Sequence, residues 1–289
     1  MHSVAIIGCG YTGRKLAARF RQCGQTVRGF ASRPESLADI TAAGADAERL
    51  NLDSNPSSLN LEAELVYYAV PPESAGTRDT RMERFLGLVD GKPQRVIYFS
   101  TTGVYGDRGG AVVDEDTPPA PGSARAQRRL AAETSLRQWA ESRSVSWCIL
   151  RVPGIYGPGR LPMERLKRGE PAIHLTESTP SNRIHVSDLV TVCVAAGVSP
   201  CADRRIYNVT DGSDDSQTAF LQRVARLARL PAPPLVSRSE AERIASPMAW
   251  SFLSESRRVR SRRMLDELGI TLAYTDLDAG IRASLEQPV

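Results

Sequence analysis

Ser3-Val4-Ala5-Ile6-Ile7-Gly8-Cys9-Gly10-Tyr11-Thr12-Gly13 is the stretch that decides the class of this chain. Its first five residues are almost continuously apolar, as a strand buried on both faces must be. Three glycines with GxGxxG spacing follow, and Gly13 to Cys23 then sets Leu16, Ala17 and Phe20 on one face of a helix. A glycine run by itself says little; between a strand and a helix it says much more. Pyrophosphate can reach the backbone only where side chains are missing, and Gly13 lets the helix close on the strand. The helix N-terminus adds free N–H groups and partial positive charge. Gly8, Gly10, Tyr11, Thr12 and Gly13 are thus the expected dinucleotide-binding turn.

Short apolar runs of the same kind recur at Thr26 to Ala31, Glu64 to Val70, Arg95 to Ser100, Val145 to Val152 and Arg205 to Thr210, with helical stretches between them. Such alternation predicts βαβ units with right-handed crossovers: an α/β fold with a Rossmann-type doubly wound parallel sheet. After residue 152 the pattern changes, with segments rich in Pro, Gly and Arg at Pro153 to Pro171 and Leu230 to Pro247. The expected organisation is a dinucleotide-binding domain over 1–152, with 183–210 returning to it. A smaller C-terminal substrate lobe is assigned to 153–182 and 211–289.

The chain has 289 residues, 41% hydrophobic and 24% charged, which suits a globular core and excludes collagen, coiled coil and disorder. It has no apolar run of the ~18 residues that span a bilayer, and Met1 to Ile7 lacks the basic start of a secretion signal. Five scattered cysteines without a CxxC pair point to a reducing cytoplasm. Three histidines leave little material for a metal centre, so no metal is expected. The net charge is only +4, and of the 37 basic residues all but Lys15, Lys92 and Lys167 are arginines. That bias suggests neither a nucleic-acid nor a membrane partner, and the oligomeric state is left open.

The second strand ends in Ala31-Ser32-Arg33, with no carboxylate before Glu35. An acid there would take a ribose 2′-hydroxyl and repel a 2′-phosphate; Ser32 and Arg33 would bind the phosphate. NADP is therefore expected ahead of NAD. Ser32 and Glu35 also fit an S-x-x-E capping box, the competing reading. Asp53 falls where a third strand would end and could meet the adenine edge. Ala69 and Val70, ending the Glu64 to Val70 strand, complete this side.

Four later landmarks occur in order. They are Tyr98-Phe99-Ser100-Thr101-Thr102-Gly103-Val104-Tyr105-Gly106, Leu150-Arg151-Val152-Pro153-Gly154-Ile155-Tyr156-Gly157-Pro158-Gly159-Arg160, Asn182-Arg183-Ile184-His185-Val186-Ser187-Asp188-Leu189 and Tyr207-Asn208-Val209. After a GxGxxG unit, this series resembles the extended short-chain dehydrogenase/reductase superfamily, closest to the NAD(P)-dependent epimerase/dehydratase family and its atypical members. The resemblance implies hydride transfer between a nicotinamide cofactor and a small polar or nucleotide-sugar-like substrate held between sheet and lobe. Thr101 takes the place of the family's active Ser/Thr, Pro153 and Gly154 lie beside the nicotinamide, and His185 and Asp188 join the two lobes.

The family's YxxxK pair is absent. Counting back from Glu133 puts Arg129 in the Lys place and Arg125 in the Tyr place, and there is no tyrosine between Tyr105 and Tyr156. Arginine stays protonated, so Arg125 can polarise a carbonyl or clamp an anion but cannot take a proton from an alcohol. Arg125 and Arg129 share a helix face, either as an anion clamp or as an exposed surface. Tyr105 is the remaining candidate acid. Arg160 and Tyr156 are candidate substrate contacts, with an anionic substrate in view. Reduction of a carbonyl fits this residue set better than alcohol oxidation. The competing function is a catalytically inactive NADP(H)-binding sensor.

Overall fold

The computed structural model describes residues 2–54, 56, 59 and 61–286. Seven parallel strands form the central sheet: β1 (Ser3–Ile7), β2 (Thr26–Ala31), β3 (Asp46–Arg49), β4 (Leu65–Tyr68), β5 (Arg95–Thr101), β6 (Ser146–Val152) and β7 (Arg205–Asn208). Their spatial order is β7-β6-β5-β4-β1-β2-β3, every pairing parallel. The order reverses between β1 and β4, and the crevice outside their carboxyl ends is where such sheets take ligands. This is the doubly wound sheet expected. The edge strand β3 lies where a third strand was expected, but it stops at Arg49 rather than just before Asp53, since Asp46-Ala47-Glu48-Arg49 carries too little apolar character to fix its bounds.

The side-chain alternation of β1 divides the core in two. Val4 and Ile6 join Leu16, Ala17 and Phe20 of α1 (Tyr11–Gln22) and Leu189, Val192 and Cys193 of α5 (Val186–Val198) on one face. Ala5 and Ile7 join Met82 and Phe85 of α3 (Thr80–Leu88) and Ala132, Leu136 and Ala140 of α4 (Ala124–Arg143) on the other. Helix α2 (Glu35–Ala42) connects β2 to β3 and buries Ile40.

A third core, built on Tyr156, Leu166, Phe220, Leu221, Val224 and Ile281, lies under the helices Gln217–Leu227 and Leu277–Glu286. The assignment of 211–289 to this lobe needs one correction. Met264 and Leu272 belong to the sheet's own core cluster, because the helix Arg262–Leu268 lays its apolar face against α5 and β7. Just before that helix, in the arginine-rich stretch that begins at Arg257, Arg258–Val259 pairs as a short parallel strand with Val112–Val113. No helix among the described residues is long and apolar enough to cross a membrane.

Candidate functional site

The glycine turn is shaped by where a side chain would not fit. Gly8 has φ +85°, and a Cβ there would lie 2.8 Å from Val70 N and 2.9 Å from the Ala69 carbonyl carbon. Ala69 and Val70 thus press directly on the turn, and Ala69 N donates to Ile7 O at 2.8 Å. Cys9 N donates to Phe30 O at 2.8 Å, tying the turn to β2 as well. A Cβ on Gly13 would sit 3.1 Å from Ile6 Cγ2, so helix and strand are in close contact there. Gly10 differs: a Cβ would meet nothing within 4 Å. Gly10 is also the N-cap of α1, with no side-chain cap and no acid in the first turn. Room, free donors and the helix dipole coincide at that point, which fits a pyrophosphate.

Burial raises the Cys9 thiol to about 12, so this residue inside the turn is a packing group rather than a nucleophile. Ser32 and Arg33 lie exposed beyond β2, where Arg33 Nε is 3.8 Å from Glu35. The S-x-x-E box does not form, for the N-cap of α2 is Pro34 and no side chain caps it. Arg49, unnoticed in the sequence, donates from Nε to Ser32 O at 3.4 Å and brings a second cation to this corner. Asp53 is held by Arg81 through two bonds of 2.7 and 2.6 Å, and that pairing pulls its carboxyl below the usual range. Its charge is therefore committed to α3.

A cavity of about 740 Å³ opens where β5 and β6 meet the lobe. Thr101, Arg125, Pro153 and Gly154 line the sheet side; Arg165, Glu170, Asn182, Gln217, Phe252, Glu255 and Arg257 are among those lining the lobe side. Thr101 Oγ1 accepts the Gly103 N–H at 3.1 Å, so its O–H is left to donate into the cavity. Of the candidates, Thr101, Arg125, Pro153 and Gly154 share this space. Arg129 is four residues farther along α4 and donates through Nη1 to Phe99 O at 3.0 Å, the Tyr98 hydroxyl at 3.3 Å and Val70 O at 3.5 Å. It bridges the ends of β4 and β5, between the glycine turn and the cavity.

Three candidates are corrected. Tyr105 is fully buried, donating to Asn208 Oδ1 at 2.9 Å and accepting from Arg151 at 3.0 Å; burial raises its phenol, so it is no acid for a bound molecule. Tyr156 lies in the lobe core against His185 and Phe220, with ring centroids 5.2 and 5.9 Å away, and does not line the cavity. Arg160 stacks on the Tyr11 ring at 4.7 Å, at the glycine turn rather than in the substrate cavity. The Tyr11 hydroxyl fixes that loop by donating to Pro158 O at 2.8 Å.

Below the cavity floor, Glu133 accepts two bonds from Arg151, at 3.1 and 2.8 Å, and one from Ser100 Oγ at 2.5 Å. His185 caps α5 and approaches Ser284 Oγ at 3.3 Å, while Asp188 accepts from Ala273 and Tyr274 N at 2.8 and 2.9 Å. Both are structural ties, as the sequence suggested. Sequence reasoning missed Arg165, Gln217, Phe252, Glu255 and Arg257 as cavity residues. Only Arg257 carried a signal, the arginine run in which it stands.

Residues 82–210 match the model of the NAD dependent epimerase/dehydratase family. A functionally unknown conserved protein from Silicibacter pomeroyi has a solved structure that is 32% identical, with a TM-score of 0.82, over 99% of this chain and 100% of that one. Protein YeeZ of Escherichia coli K12 is 26% identical over 96% of this chain and 97% of its own. The UDP-glucuronic acid 4-epimerase of Bacillus cereus, solved with UDP-glucuronic acid and NAD, is 17% identical with a TM-score of 0.75, over 98% of this chain and 97% of that one. At that identity the likeness is one of fold.

Proposed function

Because this chain belongs to the NAD-dependent epimerase/dehydratase family, we propose that it binds NADP(H) on the glycine turn and reduces a carbonyl of a small polar or nucleotide-sugar-like substrate in the cavity. The observation that carries this reading is the adjacency of the two spaces. The open position at Gly10 and the cavity at Thr101 lie at the same end of one parallel sheet, with Arg129 between them.

In this reading Tyr11, Thr12 and Gly13 offer their N–H groups to the pyrophosphate, Ala69 and Val70 flank it, and Ser32 and Arg33 take the ribose 2′-phosphate, supported by Arg49. Pro153 and Gly154 border the nicotinamide, which supplies the hydride when bound. Thr101 hydrogen-bonds through its O–H to the substrate carbonyl, and solvent supplies the proton that completes the alcohol once the hydride has arrived. The Bacillus cereus neighbour, a UDP-glucuronic acid 4-epimerase holding UDP-glucuronic acid, supports a nucleotide sugar as one substrate class. Five scattered cysteines without a CxxC pair support a reducing, cytoplasmic setting for the reaction.

Fluorescence titration with NADPH and NADH tests the cofactor assignment. NADPH binds more tightly, and Arg33→Ala weakens NADPH at least about tenfold, the worth of one charge-assisted bond, while sparing NADH. Equal affinities in the unaltered chain, or an unaffected variant, contradict it. A second reading, an NADP(H)-binding sensor without turnover, is favoured by one observation: no Tyr, Lys or His lines the cavity among the described residues. NADPH consumption across a panel of aldehydes, ketones and nucleotide sugars separates the two. Turnover of any member supports the reductase; binding of NADPH without turnover supports the sensor.

A further inference from the structure

Arg125 differs from every other cation at the cavity in having no polar partner. Arg257 is paired with Glu255 at 2.7 Å and donates to Gly106 O at 2.6 Å. Arg165 donates to Pro171 O at 2.8 Å and lies 3.7 Å from Glu170. Arg129, next along the helix, is fastened to three oxygens. Among the described residues Arg125 has neither a hydrogen bond nor an ion pair; its contact is with the exposed Phe252 ring of the lobe helix Pro247–Leu253, whose centroid is 3.9 Å from the guanidinium carbon.

That contact engages none of the N–H donors along the guanidinium edge in a hydrogen bond. An edge of this kind grips a carboxylate through two parallel bonds. The neighbouring charge favours the same occupant. Burial, followed by the like charge of Arg129, depresses the Arg125 guanidinium below its ordinary range, and Arg257 and Arg128 add to the repulsion. Glu255 opposes them, yet its carboxylate is already held by Arg257. A half-buried cation without a counter-ion is costly, and a bound anion relieves that cost.

We propose that the cavity selects a substrate with a carboxylate beside its reacting carbon, gripped by Arg125. This rests on the cavity's being the substrate site, as proposed above. Arg125 and Thr101 both line the cavity, so a carboxylate held by the first can present a neighbouring carbonyl to the hydroxyl of the second. A 2-oxo acid, or a sugar acid oxidised next to its carboxylate, has this arrangement. The place that the family gives to a proton-shuttling phenol then serves selection by charge.

Calorimetric titration of the full chain with malonate and with malonamide, its uncharged counterpart, tests this in the presence of NADPH, which occupies the phosphate turn. Malonate is expected to bind at least tenfold more tightly than malonamide, and Arg125→Gln to abolish the difference. Arg125→Lys keeps the charge without the two-pronged edge and retains part of it. Melting temperatures establish that each variant folds; if the Gln variant does not, the Lys variant decides, an unchanged malonate affinity counting against the proposal. Absence of preference for malonate, or a preference that survives in Arg125→Gln, overturns it. A chain that binds NADPH and ignores malonate keeps its cofactor assignment and loses this one. A chain that fails to bind NADPH but shows the Arg125-dependent preference does the reverse.

Discussion

At Gly10 an added Cβ would meet nothing within 4 Å, whereas on α4 one nitrogen of Arg129 already faces three oxygens. The cofactor end of the cleft is made of backbone and empty space. Its specificity comes from N–H groups and a helix dipole, which need glycine to be reachable. The cavity, proposed above as the substrate end, draws its charged side chains from distant parts of the chain: Arg125 on α4, Arg165 and Glu170 in the first lobe segment, Glu255 and Arg257 in the last. A site of the first kind tolerates change in most side chains but not in three glycines. A site of the second kind can be retuned one side chain at a time.

If charge holds the substrate end together, the largest effect comes from the buried pair beneath it. Glu133→Gln leaves the Arg151 guanidinium buried without its counter-ion and is expected to cost about 3–5 kcal/mol in urea unfolding. A loss below about 1 kcal/mol would mean that solvent or another group compensates, and would blur the contrast. At the cofactor end the matched pair is Gly8→Ala and Gly10→Ala. Gly8 has φ +85° and backbone within 2.9 Å of a new Cβ, so Gly8→Ala should lose about 1–3 kcal/mol from conformation alone. Gly10, with φ −86° and open space, should lose no more than about 0.5 kcal/mol. Equal losses for the two would break the distinction between a glycine kept for the chain and one kept for a ligand.

A pH-dependent effect concerns the tie between the two halves. Burial lowers His185 from the usual 6.5 to about 4. The folded chain therefore keeps this ring neutral while the unfolded chain protonates it, so its contribution to stability falls as pH drops from about 6.5 towards 4. Asp211 works in the opposite sense: burial raises it from 3.8 to about 6, which costs stability as pH rises across that interval. Thermal melts of unaltered protein and His185→Asn between pH 7 and 4 read the histidine part by difference. The variant should lose less stability on acidification, and a curve parallel to that of the unaltered chain would count against a buried neutral ring.

The sheet was legible because its strands are buried on both faces, and such burial forces continuous apolar runs such as Val4-Ala5-Ile6-Ile7 and Val96-Ile97-Tyr98-Phe99. The exposed edge strand Asp46–Arg49 was placed only by its expected end near Asp53, and its bounds were missed for the converse reason. The glycine turn was legible because its requirements are local in sequence. The cavity was not, since contact between Arg125 and Phe252 joins residues that no periodicity relates. Tyr105 and Tyr156 misled for a further reason. Their neighbours mark active-site strands, yet burial turns one ring towards Asn208 and Arg151 and the other into the lobe core. A landmark locates a backbone; it does not say which side of that backbone faces the ligand.

The most direct measurement is calorimetric titration of the pure chain with NADPH, repeated on Gly10→Ala. One nucleotide should bind per chain, and the added methyl group should weaken it at least tenfold while leaving the melting temperature nearly unchanged. No heat with any pyridine nucleotide, or an affinity that the methyl group leaves untouched, would contradict a pyrophosphate seated on the Gly8–Gly13 turn.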